Sequence, residues 1–550
     1  MFMFNNCNNY NNYNNYNCKN YMTQCNNIMM YIYYNDFINV LCYIIDGLLY
    51  FKYFVYFNFF IFALCSNILY TKMSKRLNNK LINLLSFSIN LNGCVLIKFI
   101  QWMYTNIDIL KPDNVNGGSS VDASACNDFE YLDKIFSKFY EDCNIHSINY
   151  TKKIFEKDFN IKLDNVVELD KNFTIKSGSI AQIYKGKLKK EFVEAIGHQH
   201  QGNGFGSDNG DMEIAIKVVH PDIIYQKVFP ILFIKLYKYL SDNIYFLNTY
   251  SVVFNFDSFF TNIEKQFSMI NEFDNITYFY DTYKDNEYIM IPKPICCRKN
   301  ILIMEYIDSM EFSSLNINEL KKQKIIMLLN MFIKDTYMFQ GKYHSDLHDS
   351  NWKVIPHKDF YKLVIYDFGY IINNRMPDTF QQILYYADTR DFENLAYHLF
   401  INLINPVETL EIFREKYCTF VDDNQTIVDF FKITYMFLHY NKYQLKNELL
   451  EIFISMILIK KHLDNYIFPK TGTTSPNLII KMNIIYLNFC KKLNIFPNIQ
   501  KYIQKYYLNN QKLMDTYCHQ NSYFDDLNND SVQINQIYSE YLVTNNSYDI

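Results

Sequence analysis

Hydrophobic residues follow three different spacings along the chain. Between Val40 and Tyr70 they are nearly continuous, and residues 53–70 carry no charged side chain. In residues 213–219, EIAIKVV, the side chains alternate with the period of a strand. From about residue 312 onward, apolar runs such as IIMLLNMFI predict helices. The pattern therefore predicts a mixed α and β region followed by a largely helical one.

The uncharged run over residues 53–70 is just long enough to cross the apolar core of a bilayer. A buried aromatic helix is the alternative, because two asparagines and several tyrosines make the run only marginally hydrophobic. If the run spans a membrane, the basic residues after it place the rest of the chain on the cytoplasmic or matrix side. These basic residues are Lys72, Lys75, Arg76 and Lys80.

Changes of composition divide the chain into segments. Three Asn-Asn-Tyr units at residues 8–16 lack apolar periodicity, and polar, Gly-containing stretches interrupt the later pattern twice. We predict disorder over 1–39, a candidate transmembrane segment over 40–71, a helical extension over 72–170 with a loop at 111–128, a lobe over 171–308 with an insertion at 197–211, a helical lobe over 309–515 and a polar tail over 516–550.

Charge and cysteine usage narrow the class of protein. The 53 basic and 57 acidic side chains leave a net charge of -4, so no overall positive field favours nucleic acid as a partner. The 13 cysteines include no C-x-x-C pair, which predicts reduced thiols and no zinc ribbon.

Two neighbouring strand-like segments carry the first candidate binding residues. Small residues in IKSGSIAQIYKGKL, residues 175–188, would let backbone amides approach a phosphate. In the next strand Ala215 and Lys217 share one face. A lysine there either reaches solvent at a sheet edge or is held by a carboxylate and lies on nucleotide phosphates. The candidate residues of the first segment are Ser177, Gly178, Ser179, Ala181 and Gln182.

An acidic helix is predicted about fifty residues further on. Its apolar stripe comprises Ile263, Phe267, Ile270 and Phe273. Glu272 and Asp274 are two positions apart, about 200° around a helix, so they should serve different partners.

The stretch HSDLHDSN, residues 344–351, has the spacing H-x-D-x-x-x-x-N of a kinase catalytic loop. Sixteen residues after Asn351, an apolar strand ends in Asp367-Phe368-Gly369. Asp346 is then a candidate catalytic base, and Asn351 and Asp367 are candidate oxygen ligands for Mg2+. A metal hydrolase using His344, Asp346 and His348 is an alternative, although it leaves Lys217 and the Asp-Phe-Gly tripeptide unexplained.

Together these motifs resemble the UbiB family of atypical protein-kinase-like ATPases, also called aarF-domain proteins. IKFIQW, residues 97–102, is similar to the family's K-x-G-Q motif and gives Lys98 and Gln101, and NEFDN is similar to its E-x-D motif. By this resemblance, one E-x-D carboxylate meets Lys217 and the other meets Lys98. Adenine would lie against residues 304–307, which adds Glu305 and Ile307 to the binding residues.

The chain departs from the family pattern at three places. Ile100 stands where K-x-G-Q has glycine, Asp349-Ser350 replaces the usual Pro-Gly, and Tyr278 occupies a position where many members carry glutamate.

The resemblance implies an α+β, two-lobed protein-kinase-like fold with a helical N-terminal extension, preceded by a candidate transmembrane helix. It implies ATP and Mg2+ as cofactors, with Asp346, Lys217, Lys98 and Glu272 as catalytic residues. It further implies ATP hydrolysis, or phosphorylation of a small or lipid-related substrate, in support of ubiquinone or lipid metabolism. The expected partners are a membrane lipid or quinone precursor and a lipid-biosynthetic protein complex, at the mitochondrial inner membrane. A nucleotide-binding scaffold without turnover is the alternative.

Overall fold

The computed structural model describes residues 15–74, 78–100, 145–189, 212–243, 263–373, 377–388, 391–399, 411 and 476–508. The chain forms two compact units. One comprises residues 1–96 and 222–233, and the other comprises residues 97–221 and 234–550.

The first unit is built around a long helix, α1 (Asn15–Ser74), followed by α2 (Asn79–Asn92). Asn78 caps α2 by accepting hydrogen bonds from the amides of Lys80 and Leu81. The two helices are joined by side-chain amides: Asn67 donates to the carbonyl of Leu81 at 2.8 Å, and Asn92 donates to that of Tyr56 at 2.9 Å. Polar residues in this apolar region therefore bond helix to helix.

The short helix α5 (Ile223–Gln226) and the start of α6 (Val228–Asn243) complete the first unit. Phe57 of α1 packs against Phe229 and Phe233, with ring centroids 6.3 and 5.7 Å apart. The stretch Tyr43–Ser74 of α1 is long and apolar enough to cross a membrane, with a mean hydropathy of 1.7.

Helix α1 begins earlier than the sequence predicted. Residues 15–39 were expected to be disordered, but they form its first part. This segment contains no Gly or Pro before Gly47, so the helix that starts in the apolar run can extend through it one hydrogen bond at a time.

The second unit begins with two helices and an antiparallel sheet. Its first elements are α3 (Ile148–Phe159), α4 (Leu163–Val166), β1 (Val167–Leu169), β2 (Lys176–Ser177), β3 (Ala181–Leu188) and β4 (Glu213–Val219). The strands β5 (Ile289–Met290), β6 (Pro294–Cys297) and β7 (Ile301–Glu305) follow the helix α7 (Met269–Tyr283). The sheet order is β1-β3-β4-β7-β6, with β2 paired to β3. The sheet starts at Val167, so the boundary predicted at residue 171 falls inside it.

Alternation along β4 gives the sheet two apolar faces. Ile214, Ile216 and Val218 are fully buried and pack with Phe155 of α3 in one core cluster. Ala215 belongs to the other cluster, on the side of α7 and the helical lobe. The alternation read from the sequence therefore matches the structure at this strand.

The helical lobe contains a central helix and two small sheets. Its elements are α8 (Glu319–Met338), β8 (Lys342–His344), β9 (Trp352–His357), β10 (Phe360–Ile365), β11 (Ile371–Asn373), α9 (Pro377–Asp388), α10 (Phe392–Leu399), α11 (Pro476–Leu493) and α12 (Pro497–Ile503), with single helical turns at Phe312–Ser314, Asp349–Asn351 and Gln504–Leu508. One sheet has the order β5-β10-β9, and β11 pairs with β8. This α+β, two-lobed architecture is the one predicted.

Helix α7 differs from the predicted apolar stripe. Residues 263–266 are helical, but the chain breaks at Ser268, whose hydroxyl accepts a hydrogen bond from the amide of Asn271 and caps a new helix. Ile270 is consequently 50% exposed, and the buried stripe begins at Met269 and continues through Ile276 and Phe279.

Several predicted segments lie outside the described residues. These are the loop at 111–128, the insertion at 197–211 and the tail at 516–550.

Gly186 provides a test of the sheet. It pairs with Leu169 across β1 and β3, and a Cβ there would lie 2.6 Å from Val167 Cγ1 and 2.8 Å from the Glu168 carbonyl oxygen. We expect Gly186→Ala to lower the free energy of unfolding by about 1–3 kcal/mol, because the backbone oxygen cannot rotate away.

Thermal unfolding of the full chain in detergent measures this effect. The control is Gly341→Ala, where a Cβ meets only the Tyr278 hydroxyl at 3.7 Å. Equal melting temperatures for the two variants would contradict the packing described for β1 and β3.

Candidate functional site

A cleft of about 230 Å³ lies between the sheet and the helical lobe of the second unit. Four groups of residues line it: the β2–β3 turn, the inner face of β4, the segment after β7, and the ends of β8 and β10. Charged side chains are concentrated on the wall of the cleft. They are Lys98, Lys176, Lys217, Glu272, Glu305, Asp346, Lys353 and Asp367.

Lys217 of β4 is the central cation of this cleft. Its ammonium lies 2.7 Å from Glu272 Oε1 and 3.0 Å from Asp367 Oδ1, and its side chain is 9% exposed. Burial by itself lowers the pKa of a lysine, but Asp367 and Glu272 outweigh burial and raise the pKa of Lys217 above its usual range. Lys217 is therefore charged, and it binds α7 to the segment after β10.

Glu272 is the buried partner of Lys217. It is 2% exposed, and burial raises the pKa of its carboxyl to about 7, although the Lys217 ammonium opposes the shift. Tyr278 stands where the resemblance led us to expect a glutamate, and its hydroxyl accepts a hydrogen bond from the amide of Gly341 at 3.1 Å. Glu272 is thus the helix acid that holds Lys217.

Asp367 follows β10 with a φ of 54°, in the left-handed region that aspartate tolerates better than most residues. Its Oδ1 also accepts a hydrogen bond from the amide of Gly369 at 3.3 Å. Burial works against ionisation here, but Lys217 and Lys98 lower the pKa of Asp367 below its usual range. The side chain is 45% exposed and remains anionic.

Asp346, two residues after β8, pairs with Lys98. The Lys98 ammonium lies 3.3 Å from Asp346 Oδ2, with the two side chains 18% and 26% exposed. Burial alone would raise the pKa of Asp346, yet Lys98 and the neighbouring histidines lower it. The carboxylate that a kinase-like loop would use is therefore ionised and already paired with a cation from the helical segment 94–100.

The Lys98 contact differs from the one that the resemblance implied. Asp274 was the expected second acid of the E-x-D motif, but it is exposed on α7, and Lys98 pairs with Asp346 instead. Gln101 of the same motif lies outside the described residues.

Asn351 lies at the end of the helical turn Asp349–Asn351 and is 6% exposed. Its side-chain nitrogen donates to the carbonyl of Asp346 at 2.7 Å and lies 3.1 Å from His348 Nε2. Because the nitrogen is used within the loop, the amide oxygen is the atom left for a ligand. That contact also fixes the loop between Asp346 and Asn351.

Asn351 and Asp367 have the donor chemistry that magnesium requires. An amide oxygen and a carboxylate suit this hard cation, which usually takes one or two protein oxygens and completes its shell with waters and phosphates. Among the described residues, no group of three or more His, Cys, Asp or Glu side chains could hold a metal alone. The residues present therefore fit a metal that is shared with a ligand.

The alternative metal site at His344, Asp346 and His348 loses one of its residues. His344 is 1% exposed, its Nε2 lies 3.1 Å from the Tyr366 carbonyl oxygen, and its ring packs on Phe368. Burial lowers the pKa of His344. Its ring supports the loop from beneath instead of facing the cleft, and the structure disfavours the hydrolase alternative.

The segment after β7 forms the apolar end of the cleft. Ala215, Met304, Glu305 and Ile307 all line it. The Glu305 carboxylate is used within the protein, where it accepts a hydrogen bond from the amide of Lys293 at 3.1 Å.

Two predicted binding residues of the β2–β3 turn do not line the cleft. Gly178, Ser179 and Ala181 do, whereas Gln182 is fully buried on the opposite face of β3 and Ser177 lies toward His220. Neighbours on a strand point to opposite faces, so Ala181 and Gln182 cannot both face one ligand. The alternation already present in the sequence could have separated them.

Other residues of the cleft were missed. Phe173 and Tyr306 meet edge to face with ring centroids 5.9 Å apart, and Lys185 lies over the Tyr306 ring at 4.2 Å. Lys176 and Lys353 add positive charge. Lys176 could have been found by its place beside the small-residue turn, but nothing in the local sequence marks Phe173 or Lys353.

This fold and site define a kinase-like class of protein. Residues 138–399 match the family described as ABC1 atypical kinase-like domain. These residues, just under half of the chain, are thus similar to the ABC1 family, the UbiB-type family whose motifs the sequence resembles. Lys98 and its helix lie before the matched residues.

A curated relative and two solved structures are also similar. A mitochondrial ABC1 family protein of Saccharomyces cerevisiae is 22% identical over 285 residues, which are 49% of this chain and 39% of the yeast protein. The chain thus spans about two fifths of that relative. An erythromycin complex from Mycobacterium tuberculosis has a TM-score of 0.36 at 16% identity, covering 58% of this chain and 83% of that one. A Rio2 kinase complex with ADP/Mg2+ and phosphoaspartate from Chaetomium thermophilum has a TM-score of 0.25 at 10% identity, covering 66% and 95%.

Removing Lys217 tests the electrostatics of the site. In Lys217→Met, Glu272 keeps its buried position without its cation. We expect the free energy of unfolding to fall by about 3–5 kcal/mol at pH 8. Because the pKa of Glu272 is raised, the folded state favours its neutral form. The loss should therefore be smaller at pH 5 and grow as the pH rises through about 7.

Chemical unfolding at pH 5 and pH 8 measures the loss. The double variant Lys217→Met/Glu272→Gln removes the buried charge, so it should recover part of the stability at pH 8. A loss of equal size at both pH values would show that Glu272 is not the group responsible.

Proposed function

We propose that the chain binds Mg2+-ATP in the cleft and hydrolyses it, or transfers its terminal phosphate to a small or lipid-related substrate. The observation that carries this proposal is the position of Lys217 between Glu272 and Asp367, on the wall of the cleft. A buried strand lysine held by a helix acid, beside a carboxylate that can take a metal, has the chemistry of phosphate binding in kinases.

Each group has a separate role in this proposal. Lys217 binds phosphate oxygens, and Glu272 orients its ammonium. The amides of the β2–β3 turn donate hydrogen bonds to the phosphates from the sheet side, and residues 304–307 contact the base. Asn351 and Asp367 would hold Mg2+, which neutralises charge that develops on the phosphates.

Asp346 is the residue that acts on the nucleophile. Its carboxylate is ionised, so it can orient a hydroxyl or a water and accept its proton, an effect typically worth about 10²- to 10⁴-fold in rate. Lys98 occupies one oxygen of this carboxylate at 3.3 Å. An incoming group must share or displace that contact, which favours a small acceptor or water over a folded protein.

The setting of the reaction is also part of the proposal. Tyr43–Ser74 supplies a helix with the length and composition of a membrane span, and the yeast relative is described as mitochondrial. We therefore infer association with the mitochondrial inner membrane, the catalytic part on the matrix or cytoplasmic side, and a role in ubiquinone or lipid metabolism. A membrane lipid or quinone precursor and a lipid-biosynthetic protein complex are the proposed partners.

A scaffold that binds nucleotide without turnover is the second candidate. The Lys98–Asp346 ion pair favours it, because this pair neutralises the carboxylate that catalysis needs.

Binding is tested by thermal unfolding of the full chain in detergent, with ATP and with or without Mg2+. ATP at about 100 times its dissociation constant should add about 2.7 kcal/mol of stability, and the gain should require magnesium. Asp367→Ala should abolish the magnesium dependence, whereas Asp281→Ala, at an exposed acid of α7 paired with Lys284, should retain it. A magnesium-independent result for the natural chain would reject the proposal.

Turnover is tested separately by phosphate release. The natural chain should release phosphate from Mg2+-ATP, and Asp346→Asn should reduce the rate by about 10²-fold or more while ATP still stabilises the fold. If release stays at background and Asp346→Asn changes nothing although ATP binds, the scaffold is the correct function.

A further inference from the structure

The β2–β3 turn has its carbonyl groups occupied by donors from the protein. The Gly178 carbonyl oxygen lies 2.9 Å from His220 Nε2, and the Ile180 carbonyl accepts from the His220 amide at 2.9 Å. The Ala181 carbonyl accepts from the Gly178 amide at 3.0 Å. His220, which directly follows β4, thus engages two of these three carbonyls.

The Ser179 and Ile180 amides of the turn differ from its carbonyls in their hydrogen bonding. Ser179 and Ile180 line the cleft, and within the described part of the chain their N–H groups have no protein acceptor. Successive free N–H groups attract an anion, whereas a carbonyl oxygen turned toward a phosphate would repel it. The arrangement of this turn therefore suits an anionic ligand.

A chain of hydrogen bonds behind the sheet fixes the donor direction at His220. It starts at Gln182, whose Oε1 accepts from the His146 amide at 2.8 Å and whose Nε2 faces the His146 carbonyl at 3.2 Å, so the orientation of the side-chain amide is set by the backbone. Gln182 Nε2 donates to the Tyr184 hydroxyl at 2.5 Å. Tyr184 can then donate to Thr151 Oγ1, which lies 2.7 Å away.

The same logic continues through the two histidines. The Thr151 hydroxyl donates to His146 Nε2 at 2.9 Å, so the neutral His146 ring carries its proton on Nδ1. That proton is donated to His220 Nδ1 at 2.9 Å, which leaves the His220 proton on Nε2, facing the Gly178 carbonyl. The Gly178 carbonyl can only accept, so for neutral rings it requires this direction along the whole chain of hydrogen bonds.

Burial favours the neutral form of both rings. It lowers the pKa of His146 to about 4, with His220 adding to the shift, and it lowers the pKa of His220, which the Gly178 carbonyl opposes. The rings can therefore act as fixed, uncharged links at neutral pH.

We propose that His146 and His220 are positioning residues for the phosphates of the bound nucleotide. They keep the carbonyls of the β2–β3 turn hydrogen-bonded within the protein, so that the Ser179 and Ile180 amides can donate to the phosphates. Gln182 and Tyr184 act in the same chain, which gives them a role although they do not line the cleft. The inference rests on the proposed nucleotide site and names residues outside its ligand contacts.

Two variants of His220 separate positioning from simple stability. His220→Leu removes the donor to Gly178, whereas His220→Gln keeps an amide N–H near the position of Nε2. In the full chain, His220→Leu should weaken the binding of Mg2+-ATP by about three- to tenfold, the effect of one lost hydrogen bond. The affinity for adenosine should change by no more than about twofold. His220→Gln should restore most of the ATP affinity.

Two further variants extend the comparison. His146→Leu should also lower the affinity for ATP, because His220 loses the partner that sets its tautomer. His357→Leu is the control, since His357 pairs with Glu287 in the helical lobe at 2.9 Å, outside the residues that line the cleft. If the affinities for ATP and adenosine fall equally in His220→Leu, or if neither affinity changes, the inference is wrong.

Hydrogen exchange without nucleotide provides an independent readout. Peptides that include the Gly178 amide should exchange faster in His220→Leu than in the natural chain, and His220→Gln should be intermediate. If the natural chain fails to bind ATP, the proposed function fails, whereas this exchange pattern still decides whether His220 holds the turn. Unchanged exchange in His220→Leu would overturn that role. If the leucine variant folds less well, the exchange of the His220→Gln variant still provides the comparison.

Discussion

The structure of the cleft depends on the burial of one positive charge. A lysine ammonium with 9% of its side chain exposed is stable only when carboxylates replace its water, and Lys217 has two of them within 3.0 Å. Glu272 comes from α7 and Asp367 from the segment after β10, so this ion triad connects the sheet to α7 and to the helical lobe. The apolar clusters on the two faces of the sheet provide the fold's stability, and the triad fixes how the lobes face each other.

A second ion pair lies beside the triad. Lys98 and Asp346 place another cation and another anion on the cleft wall. In the proposed function, an anionic ligand would contact Lys217 and the Ser179 and Ile180 amides of the β2–β3 turn, and a metal would contact Asp367 and Asn351. The shared role of Asp367, which contacts Lys217 now and would contact a metal, makes it the residue whose environment changes most when a ligand binds.

Local sequence patterns predicted part of this arrangement. Alternation in EIAIKVV placed Ala215 and Lys217 on one face, and the two-residue step from Glu272 to Asp274 separated a buried acid from an exposed one. The same alternation was not applied to Gln182, which was assigned to the ligand although it lies behind β3. The stripe through Ile270 failed because a capping serine restarts the helix, an effect that apolar periodicity does not record.

Contacts between distant segments could not be read from local patterns. Lys98 and Asp346 are 248 positions apart, and the His146–His220 contact joins residues 74 positions apart. The helix over residues 15–39 was also missed. The polar composition of this segment indicates only that it cannot form a core, but a helix can still extend into it from the adjoining apolar segment.

The central claim is that the triad and the Asp346–Asn351 loop form one metal-nucleotide site. The most direct measurement is a crystal structure of the chain with a non-hydrolysable ATP analogue and Mn2+ in place of Mg2+, in which anomalous scattering locates the metal. The account predicts a metal peak within coordination distance of Asn351 and Asp367, with phosphates beside Lys217 and the Ser179 amide. A metal bound by His344 and His348, or a nucleotide bound elsewhere on the chain, would contradict it.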